Sequence, residues 1–188
     1  MTFATIEHAL EQLRSGRPVL VLDDEDRENE GDAILAAELA SPQWVGWMVR
    51  HTSGYLCAPM EDTRADRLGL PLMWSANTDP LRTRYTVSVD VSTSTTGISS
   101  VERAATTRAL ADPRTTSADL IRPGHVLPLR ARDGGVLTRR GHTEAAVDLT
   151  RLAGLQAVGL IGEIVHDDGT CARTPDAVSY THLRAHET

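Results

Sequence analysis

The sequence predicts a single α/β domain of the layered α+β type, in which helices cover a mixed β-sheet. A chain of 188 residues has the length of one domain. Segments with the apolar spacing of helices and of strands intermix along it, without strict alternation and without an internal repeat. Of its residues, 40% are hydrophobic but only 4% are aromatic. We therefore expect an aliphatic core that needs neither a metal nor a disulfide to fold.

The first half of the chain predicts two helices and four strands. Ile6, Leu10 and Leu13 recur at helical spacing, and Gly16 follows as a stop. Ser41 followed by Pro42 is typical of a helix start. Short apolar runs bounded by turn residues indicate the strands. In order, the predicted elements are a helix that ends before Gly16, strands 19–22 and 33–37, a helix over 42–51, and strands 55–58 and 85–91.

The second half begins with a hydroxyl-rich loop, Ser92 to Gly97, that leads into a helix. Ser99 and Glu102 have the spacing of a capping box at the helix start. The loop can either hold an oxyanion at the helix N-terminus or serve only to cap the helix. In order, the elements predicted here are a helix up to 111, a strand over 126–130, a turn at 133–135, a helix over 143–153 and a strand over 157–165.

The charge balance and the cysteine content exclude several classes of partner. Basic residues number 19 against 26 acidic ones, a net charge of −7, which argues against a nucleic-acid-binding or anionic-membrane surface. Cys57 and Cys171 lie far apart, so neither a zinc site nor a disulfide framework is indicated. No run of residues is typical of a signal peptide or a membrane span. We therefore expect a cytoplasmic protein with no nucleic-acid or membrane partner.

All 19 basic residues are arginine, and the chain has no lysine. Schiff-base aldolases and pyridoxal phosphate enzymes need a lysine amine, and the phosphate-binding loop of nucleotide hydrolases contains a lysine. These mechanisms are excluded, whether the bias reflects chemistry or a GC-rich genome. A protein of this composition that acts on a carbonyl group needs another electrophile.

Seven carboxylates fall within the ten residues Asp23 to Asp32, between two predicted strands. Carboxylates this close repel one another and favour a neighbouring cation or arginine. Magnesium prefers such oxygen ligands, but the spacing does not fit an EF-hand, because Ala37 stands at its closing position. In an extended conformation, every second side chain would share one side: Asp24, Asp26, Glu28, Glu30 and Asp32. The alternative is a solvated acidic turn, although the string follows directly on an apolar strand.

Glu163 is the only charged residue in the strand predicted over 157–165. By strand period it shares a face with Ile161 and Val165. We expect a carboxylate at this position to be desolvated, with a raised pKa that suits a general acid or base near neutral pH. The alternative is that the strand ends at Glu163 and exposes it to solvent.

Two further segments carry histidine. Arg139 and Arg140 precede a predicted helix start, where guanidinium groups and backbone N–H groups can together bind a phosphate. In the same segment a neutral His142 can ligate a metal. His125 lies in a predicted loop. It can be a catalytic residue or simply a surface residue. With the acidic string and Glu163, these groups suit the enolisation of a phosphorylated ketose, with a metal in place of the lysine electrophile.

Five segments, in order along the chain, resemble the 3,4-dihydroxy-2-butanone 4-phosphate synthase family of riboflavin biosynthesis. The likeness extends from about Ile6 to Arg173. A long acidic string in combination with the other segments is far more specific than a single glycine motif. The segments are Asp23 to Asp32, Arg122 to Ala131, Gly134 to Leu137, Gly141 to Ala145 and Asp167 to Thr170.

The resemblance implies a lyase, dependent on magnesium or manganese, that converts D-ribulose 5-phosphate to formate and 3,4-dihydroxy-2-butanone 4-phosphate. Family members are homodimers with active sites near the subunit interface. By resemblance, Glu28 and His142 hold the metal ions, two per active site, and His125 and Glu163 are catalytic. The substrate-binding residues implied are Arg27, Glu28, Asp32, Arg139, Arg140, Gly141, His142, Thr143 and Glu163. Glu30 and Cys57 are implied as further members of the pocket.

Of the departures from the family pattern, two bear on the site and on the fold, whereas Glu102 in place of a usual aspartate and Gly162 in place of a usual cysteine look tolerable. Leu81-Arg82-Thr83 stands where the family usually has His-Gly-Thr, and an arginine in place of the glycine can reshape that loop. After Arg173 the chain does not continue into the helix and hydrophobic stretch that family members have. We therefore expect residues 1–173 to form a synthase domain that is truncated at its C-terminus. Residues 174–188 are expected to be an atypical tail, either disordered or foreign.

Two other functions are compatible with the sequence. The chain can be a protein that binds a metal or a sugar phosphate without turnover, which tight ligand binding without reaction would indicate. It can also be a scaffold with a merely solvated acidic loop. In that case the affinity for magnesium would be unaffected by substitution of both Glu28 and His142.

Overall fold

The computed structural model describes residues 3–173 and Asp176. The predicted tail, residues 174–188, lies outside the described residues apart from Asp176. The α-helices are α1 (Ile6–Arg14), α2 (Pro42–His51), α3 (Asp62–Arg67), α4 (Ser100–Ala111) and α5 (His142–Leu152). The strands are β1 (Val19–Leu22), β2 (Gly31–Ala36), β3 (Cys57–Met60), β4 (Val89–Val91), β5 (Leu120–Arg130) and β6 (Gly159–Glu163). Single 3-10 turns lie at Ala37–Leu39, Ser117–Asp119 and Gly135–Leu137.

The strands form one six-stranded mixed sheet in the order β1-β2-β6-β3-β5-β4. β3 and β5 run parallel, whereas the other neighbouring pairs are antiparallel. The prediction of a mixed sheet covered by helices in one domain is confirmed. Among the helices that the structure describes, none combines the length and the apolar character that crossing a bilayer requires.

Strand period divides the core between the two faces of the sheet. On one face, Ile34 and Ile161 pack with Ala146 of α5. On the other face lies the larger aliphatic cluster, covered by α2 and α4. Asp32 and Glu163 continue the α5 face to the edge of the core, because each lies two residues from one of the two isoleucines. This edge is where the candidate site forms.

The helix starts follow the predicted capping chemistry. The hydroxyl of Ser41 accepts a hydrogen bond from the N–H of Trp44, and that of Ser99 accepts one from the N–H of Glu102, both at 3.2 Å. The Glu102 carboxylate in turn accepts from the hydroxyls of Thr95 at 2.7 Å and Ser99 at 3.0 Å. The hydroxyl-rich loop therefore binds this carboxylate of its own chain, which favours the capping interpretation.

The largest differences from the sequence prediction concern three elements, whereas the other predicted elements match or are shifted or shortened at their ends by a few residues. β5 begins at Leu120 rather than 126, because Gly124 does not break it. A Cβ at Gly124 would lie 2.0 Å from the backbone carbon of Val89, so the glycine allows β4 and β5 to approach closely. Of the strand predicted over 85–91, only Val89–Val91 belongs to β4. The short helix α3 was not predicted.

Candidate active site

The acidic string folds into a turn rather than an extended segment. The N–H of Arg27 donates to the carbonyl of Asp24 at 2.9 Å, and Asn29 has a left-handed φ of 55°. The extended conformation in which alternate carboxylates would share one side is therefore not adopted. Their exposure instead falls along the chain: Asp24 and Asp26 are exposed, Glu28 and Glu30 are half-buried, and Asp32 is buried.

Asp23, which the sequence analysis did not single out, organises this turn. Its carboxylate accepts hydrogen bonds from the N–H of Glu28 at 3.1 Å, the N–H of Glu30 at 2.9 Å and the side chain of Arg27 at 2.7 Å. Burial alone would raise the pKa of Asp23, but these donors hold it below its ordinary value. The available signal was its place directly after a strand, where an aspartate commonly bonds the backbone of the following turn.

Glu28 of the turn and His142 of α5 lie side by side. The distance from Glu28 Oε2 to His142 Nδ1 is 3.5 Å, and Nδ1 is also 3.3 Å from Asp32 Oδ1. His142 is the first residue of α5 and is only 6% exposed. The packing of α5 on β2 thus brings together the two metal ligands that the resemblance implied.

The donor set fits a hard divalent cation. Asp23, Glu28 and His142 each offer a ligand atom, and these atoms lie within 4.8 Å of one another. Asp32 Oδ1 and His142 Nε2 are buried without a hydrogen-bond partner among residues 3–173 and 176. Because Asp23 already accepts three hydrogen bonds, Glu28 and His142 are the better ligands. Carboxylate oxygens suit magnesium and manganese, and a neutral imidazole can add a nitrogen ligand.

The pKa values in this cluster reflect burial opposed by charge. Burial alone would lower the pKa of His142, but Glu28, Asp32 and Asp23 raise it. Burial raises the pKa of Asp32 to about 7, although His142 opposes this effect. The pKa of Glu28 is held below its ordinary value by His142 despite burial. The cluster therefore favours a positive charge, either a proton on the imidazole or a metal ion.

Glu163 stands directly opposite Asp32 in the ladder between β2 and β6. It is half-buried as the last residue of β6, and the hydroxyl of Ser53 donates to its Oε2 at 2.6 Å. The fully desolvated carboxylate predicted at Glu163 is instead Asp32. Asp32 lies between two strands and under His142, whereas Glu163 lies at a strand end.

Arg27 and Arg139 flank the N-terminus of α5. A Cβ at Gly141 would lie 2.2 Å from Arg139 Nη1 and 3.0 Å from Arg27 Nη2, so the glycine allows both guanidinium groups to approach. As the N-cap residue, Gly141 has no side chain with which to satisfy the first N–H groups of α5. Thr143 is buried in this first turn. The arrangement suits an anion such as a phosphate.

The two neighbouring arginines differ in their surroundings. Arg139 donates to Glu144 Oε2 at 2.7 Å and to the hydroxyl of Thr83 at 3.1 Å, which leaves one N–H on each terminal nitrogen. The side chain of Arg140 is 83% exposed and lies 3.4 Å from Asp24 Oδ2. The structure thus places Arg139 in the wall of the site and Arg140 at its rim.

The loop that contains Arg82 borders this wall. Arg139 Nε donates to the carbonyl of Leu81 at 3.2 Å. Arg82 itself has a φ of 57°, a left-handed conformation that favours glycine. For a residue with a side chain, this conformation costs about 1 kcal/mol. The loop therefore keeps a backbone conformation typical of glycine although an arginine occupies the position.

His125 is paired with a buried carboxylate that the sequence analysis missed. The imidazole Nδ1 of His125 lies 2.7 Å from Asp90 Oδ2, and the backbone N–H of His125 donates to Asp90 Oδ1 at 2.9 Å. A Cβ at Gly97 would lie 2.0 Å from Asp90 Oδ2, so only glycine allows the loop to close over this pair. Such a carboxylate fixes the orientation and tautomer of the imidazole. The available signal was a single acidic residue in a predicted strand, 85–91, that has no other charged residue.

The backbone register separates His125 from the acidic cluster. Asp32 pairs with Glu163 of β6, and Cys57 of β3 pairs with both β6 and β5. On β5, His125 lies two residues before Leu127, and on β6, Glu163 lies two residues after Ile161. Both Leu127 and Ile161 pair with Cys57, and β6 runs antiparallel to β3 and β5, so His125 and Glu163 lie level across the sheet. Three strand spacings then separate Asp32 from His125, roughly 14 Å. Within the described residues, no hydrogen bond or ion pair joins His125 to Glu28 or His142.

Glu30 and Cys57 lie on separate elements, the acidic turn and β3. Glu30 is half-buried, with Oε1 3.6 Å from Arg173 Nη1, which also donates to the carbonyl of Glu28 at 2.6 Å. Cys57 is buried on the α5 face of the sheet. Burial raises the pKa of its thiol well above the ordinary value, and Glu163 adds to this effect. A neutral thiol of this kind forms part of a pocket wall rather than a nucleophile.

Known proteins resemble the chain over nearly its whole length. Residues 7–186 match the family described as 3,4-dihydroxy-2-butanone 4-phosphate synthase. The chain is 61% identical to the riboflavin biosynthesis protein RibBA of Salinispora arenicola (strain CNS-205), over 93% of this chain and 42% of that protein. It thus spans less than half the length of this curated relative.

Two solved structures share the fold. The crystal structure of the 3,4-dihydroxy-2-butanone 4-phosphate synthase of Candida albicans is 47% identical, with a TM-score of 0.91, over 98% of this chain and 92% of that chain. A synthase of the same name in complex with two magnesium ions is 43% identical, with a TM-score of 0.91, over 97% of this chain and 91% of that chain.

Proposed function

The chain belongs to the 3,4-dihydroxy-2-butanone 4-phosphate synthase family, and on that premise we propose that it converts D-ribulose 5-phosphate to formate and 3,4-dihydroxy-2-butanone 4-phosphate. One observation carries this proposal within the chain itself. Glu28 and His142 lie 3.5 Å apart, directly beside the N-terminus of α5 and its two arginines. A phosphorylated ketose needs a metal ion at its carbonyl group and an anion-binding site at its phosphate, and these two sets of residues lie next to each other.

We assign Glu28 and His142 as the ligands of magnesium, with two ions per active site, and expect manganese to substitute. When bound, the ions supply a Lewis acid that polarises the substrate carbonyl. His142 Nε2, which is buried without a hydrogen-bond partner among the described residues, supports this assignment, and so does the solved relative that holds two magnesium ions. Glu30 lies in the same turn and completes the acidic wall.

The phosphate group of the substrate is assigned to the start of α5. Arg27 and Arg139 approach Gly141 from two sides, and the first N–H groups of the helix add donors. Thr143 lies in the same turn of the helix. Arg140, at the exposed rim, attracts the anionic substrate rather than closing around it. The sugar chain then extends from α5 toward Asp32 and Glu163.

Enolisation of the ketose needs a group that removes a proton from the carbon beside the carbonyl. Glu163 suits this role because its Oε2 is held by Ser53, while Oε1 is left for the substrate. His125, oriented by Asp90, is a second group able to transfer protons. The neutral thiol of Cys57 forms part of the pocket wall near Glu163.

We further propose that the active enzyme is a homodimer in which each site uses residues of both chains. The backbones of Asp32 and His125 are three strand spacings apart, roughly 14 Å, and among the described residues no hydrogen bond or ion pair joins His125 to the proposed metal ligands. A second copy that places its His125 near the metal ligands would resolve this separation. The proposal accounts for a catalytic histidine that lies apart from the site in one chain.

Co-expression of a Glu28→Gln chain and a His125→Ala chain, each with a different affinity tag, tests the shared site. The purified heterodimer then contains one intact site, formed by Glu28 of one chain and His125 of the other. We expect about half of the wild-type turnover from it, although each parent homodimer is inactive. A heterodimer as inactive as its parents would contradict the shared site.

We also place the protein in the cytoplasm. Both cysteines, Cys57 and Cys171, are free, as is usual in a reducing compartment. Cell fractionation with an antibody against the chain tests this location.

A formate assay tests the proposed function. The full chain with magnesium is expected to release one formate per D-ribulose 5-phosphate consumed, and a chelator is expected to stop the reaction until magnesium is returned. Detection of 3,4-dihydroxy-2-butanone 4-phosphate by mass spectrometry completes the balance. A folded protein that binds the sugar phosphate tightly but releases no formate would overturn the proposal in favour of a binding protein.

A further inference from the structure

Ser53 contacts Glu163 through both its backbone and its side chain. The N–H of Ser53 donates to the carbonyl of Glu163 at 2.7 Å, and the hydroxyl donates to Oε2 at 2.6 Å. We propose that Ser53 is a positioning residue, which holds the Glu163 carboxylate in one orientation for proton transfer. This inference rests on the proposed function and adds a residue that the sequence analysis did not implicate.

The direction of the hydroxyl proton follows from its neighbours. The N–H of Tyr55 donates to the oxygen of Ser53 at 3.2 Å. A serine hydroxyl has one proton, and the carboxylate of Glu163 can only accept it. The tight turn thus aims the Ser53 proton at Oε2. A hydrogen bond to an ionised carboxylate is stronger than one between neutral groups.

The turn that contains Ser53 is held in place by hydrogen bonds from two buried side chains, Arg103 and Thr52. Arg103 of α4 is only 7% exposed, and its Nη1 donates to the carbonyl of Gly54 at 3.2 Å. The hydroxyl of Thr52 donates to the carbonyl of Met48 at 2.7 Å and accepts from the N–H of Gly54 at 3.2 Å. These contacts tie the turn to α2 and α4, so Ser53 is a fixed support for Glu163.

The turn also follows the end of β6 closely. Thr52 forms a β-bridge with Ile164, the residue after Glu163. A Cβ at Gly162 would lie 2.7 Å from Thr52 Oγ1, so the glycine leaves room for the side chain of Thr52 against β6. Ser53 and Glu163 therefore keep their relative position in spite of their exposure. A glutamate without such support samples several rotamers, and each unproductive one lowers the rate.

Ser53→Ala tests this role. We expect kcat for formate release to fall about tenfold, because a hydrogen bond to a charged group is lost, while KM stays within about twofold. Ser53→Thr keeps the hydroxyl, and the exposed position has room for the added methyl group. It is expected to restore kcat to within about threefold of the wild type.

Ser15→Ala serves as the matched control. Ser15 is also exposed, and its hydroxyl donates to the carbonyl of Gln12 at 2.7 Å, away from the site. Its kcat and the melting temperatures of all three variants are expected to stay near the wild-type values. The role of Ser53 is overturned if Ser53→Ala leaves kcat unchanged, if it changes KM alone, or if Ser53→Thr is equally slow. A wild-type chain that releases no formate would instead overturn the proposed function itself.

Discussion

A protein that carries both Glu28→Gln and His142→Ala is expected to lose magnesium binding and nearly all turnover together. The two substitutions remove the charge and the imidazole of a cluster whose ligand atoms lie within 4.8 Å of one another. A bound metal contributes several kcal/mol to stabilisation of the transition state. A loss of about 4 kcal/mol corresponds to a fall in kcat of about 10³-fold. Calorimetric titration with magnesium and formate release measure the two effects.

Glu25→Gln is the matched control for this experiment. Glu25 lies in the same acidic turn but is exposed, so its substitution changes the net charge of the chain by the same amount as Glu28→Gln. We expect magnesium affinity and kcat near the wild-type values. Circular dichroism checks that the double variant folds, because His142 is buried. Unchanged magnesium affinity in a folded double variant would support the scaffold interpretation and contradict the metal site.

His125→Ala is expected to reduce kcat by about 10²- to 10⁴-fold, the usual contribution of a general acid or base. Its side chain is 42% exposed and has one close polar contact, to Asp90. The free energy of unfolding should therefore fall by only about 1 kcal/mol. Magnesium affinity should not change, because His125 lies apart from Glu28 and His142. Formate release and urea unfolding provide the two measurements.

Asp90→Asn and His8→Ala complete this comparison. Asp90→Asn keeps the shape of the pair but removes the charge that orients the imidazole, so we expect a smaller loss of kcat than for His125→Ala. His8 lies on the exposed face of α1, and its substitution should change neither quantity. Proportionate losses of stability and turnover in the His125 and Asp90 variants would indicate a structural role instead.

The site illustrates which residues a linear pattern can indicate. Glu28 and His142 stand in segments whose composition is unusual, an acidic string and an arginine-rich helix start, and the resemblance to the family singled out these two residues within them. Asp23, Asp90 and Ser53 lie at a strand end, in a strand and in a turn, and the sequence around them does not indicate which groups they contact. Their roles arise from hydrogen bonds to groups elsewhere in the fold, which become neighbours only when the sheet forms.

Gly124 and Glu163 show that backbone contacts and side-chain burial are also poorly predicted from the sequence alone. In sequence, Gly124 resembles a strand breaker, whereas in the fold it allows β4 to approach β5. Glu163 was predicted to be the desolvated carboxylate, but Asp32 has that property, with a pKa of about 7. Desolvation depends on which helix covers which strand end, and the period of a single strand does not contain that information.

The amino-acid sequence by itself determined the aliphatic layered core, the capped helices, the absence of lysine chemistry and the family to which the chain belongs. The first three properties follow from composition and local periodicity, which act over a few residues, and the family follows from the resemblance of five sequence segments. Tertiary structure alone decided that Glu28, His142 and Asp32 share one buried charge cluster and that His125 lies three strands away. Coulombic energies and desolvation depend on distance through space, and sheet order sets that distance independently of spacing along the chain.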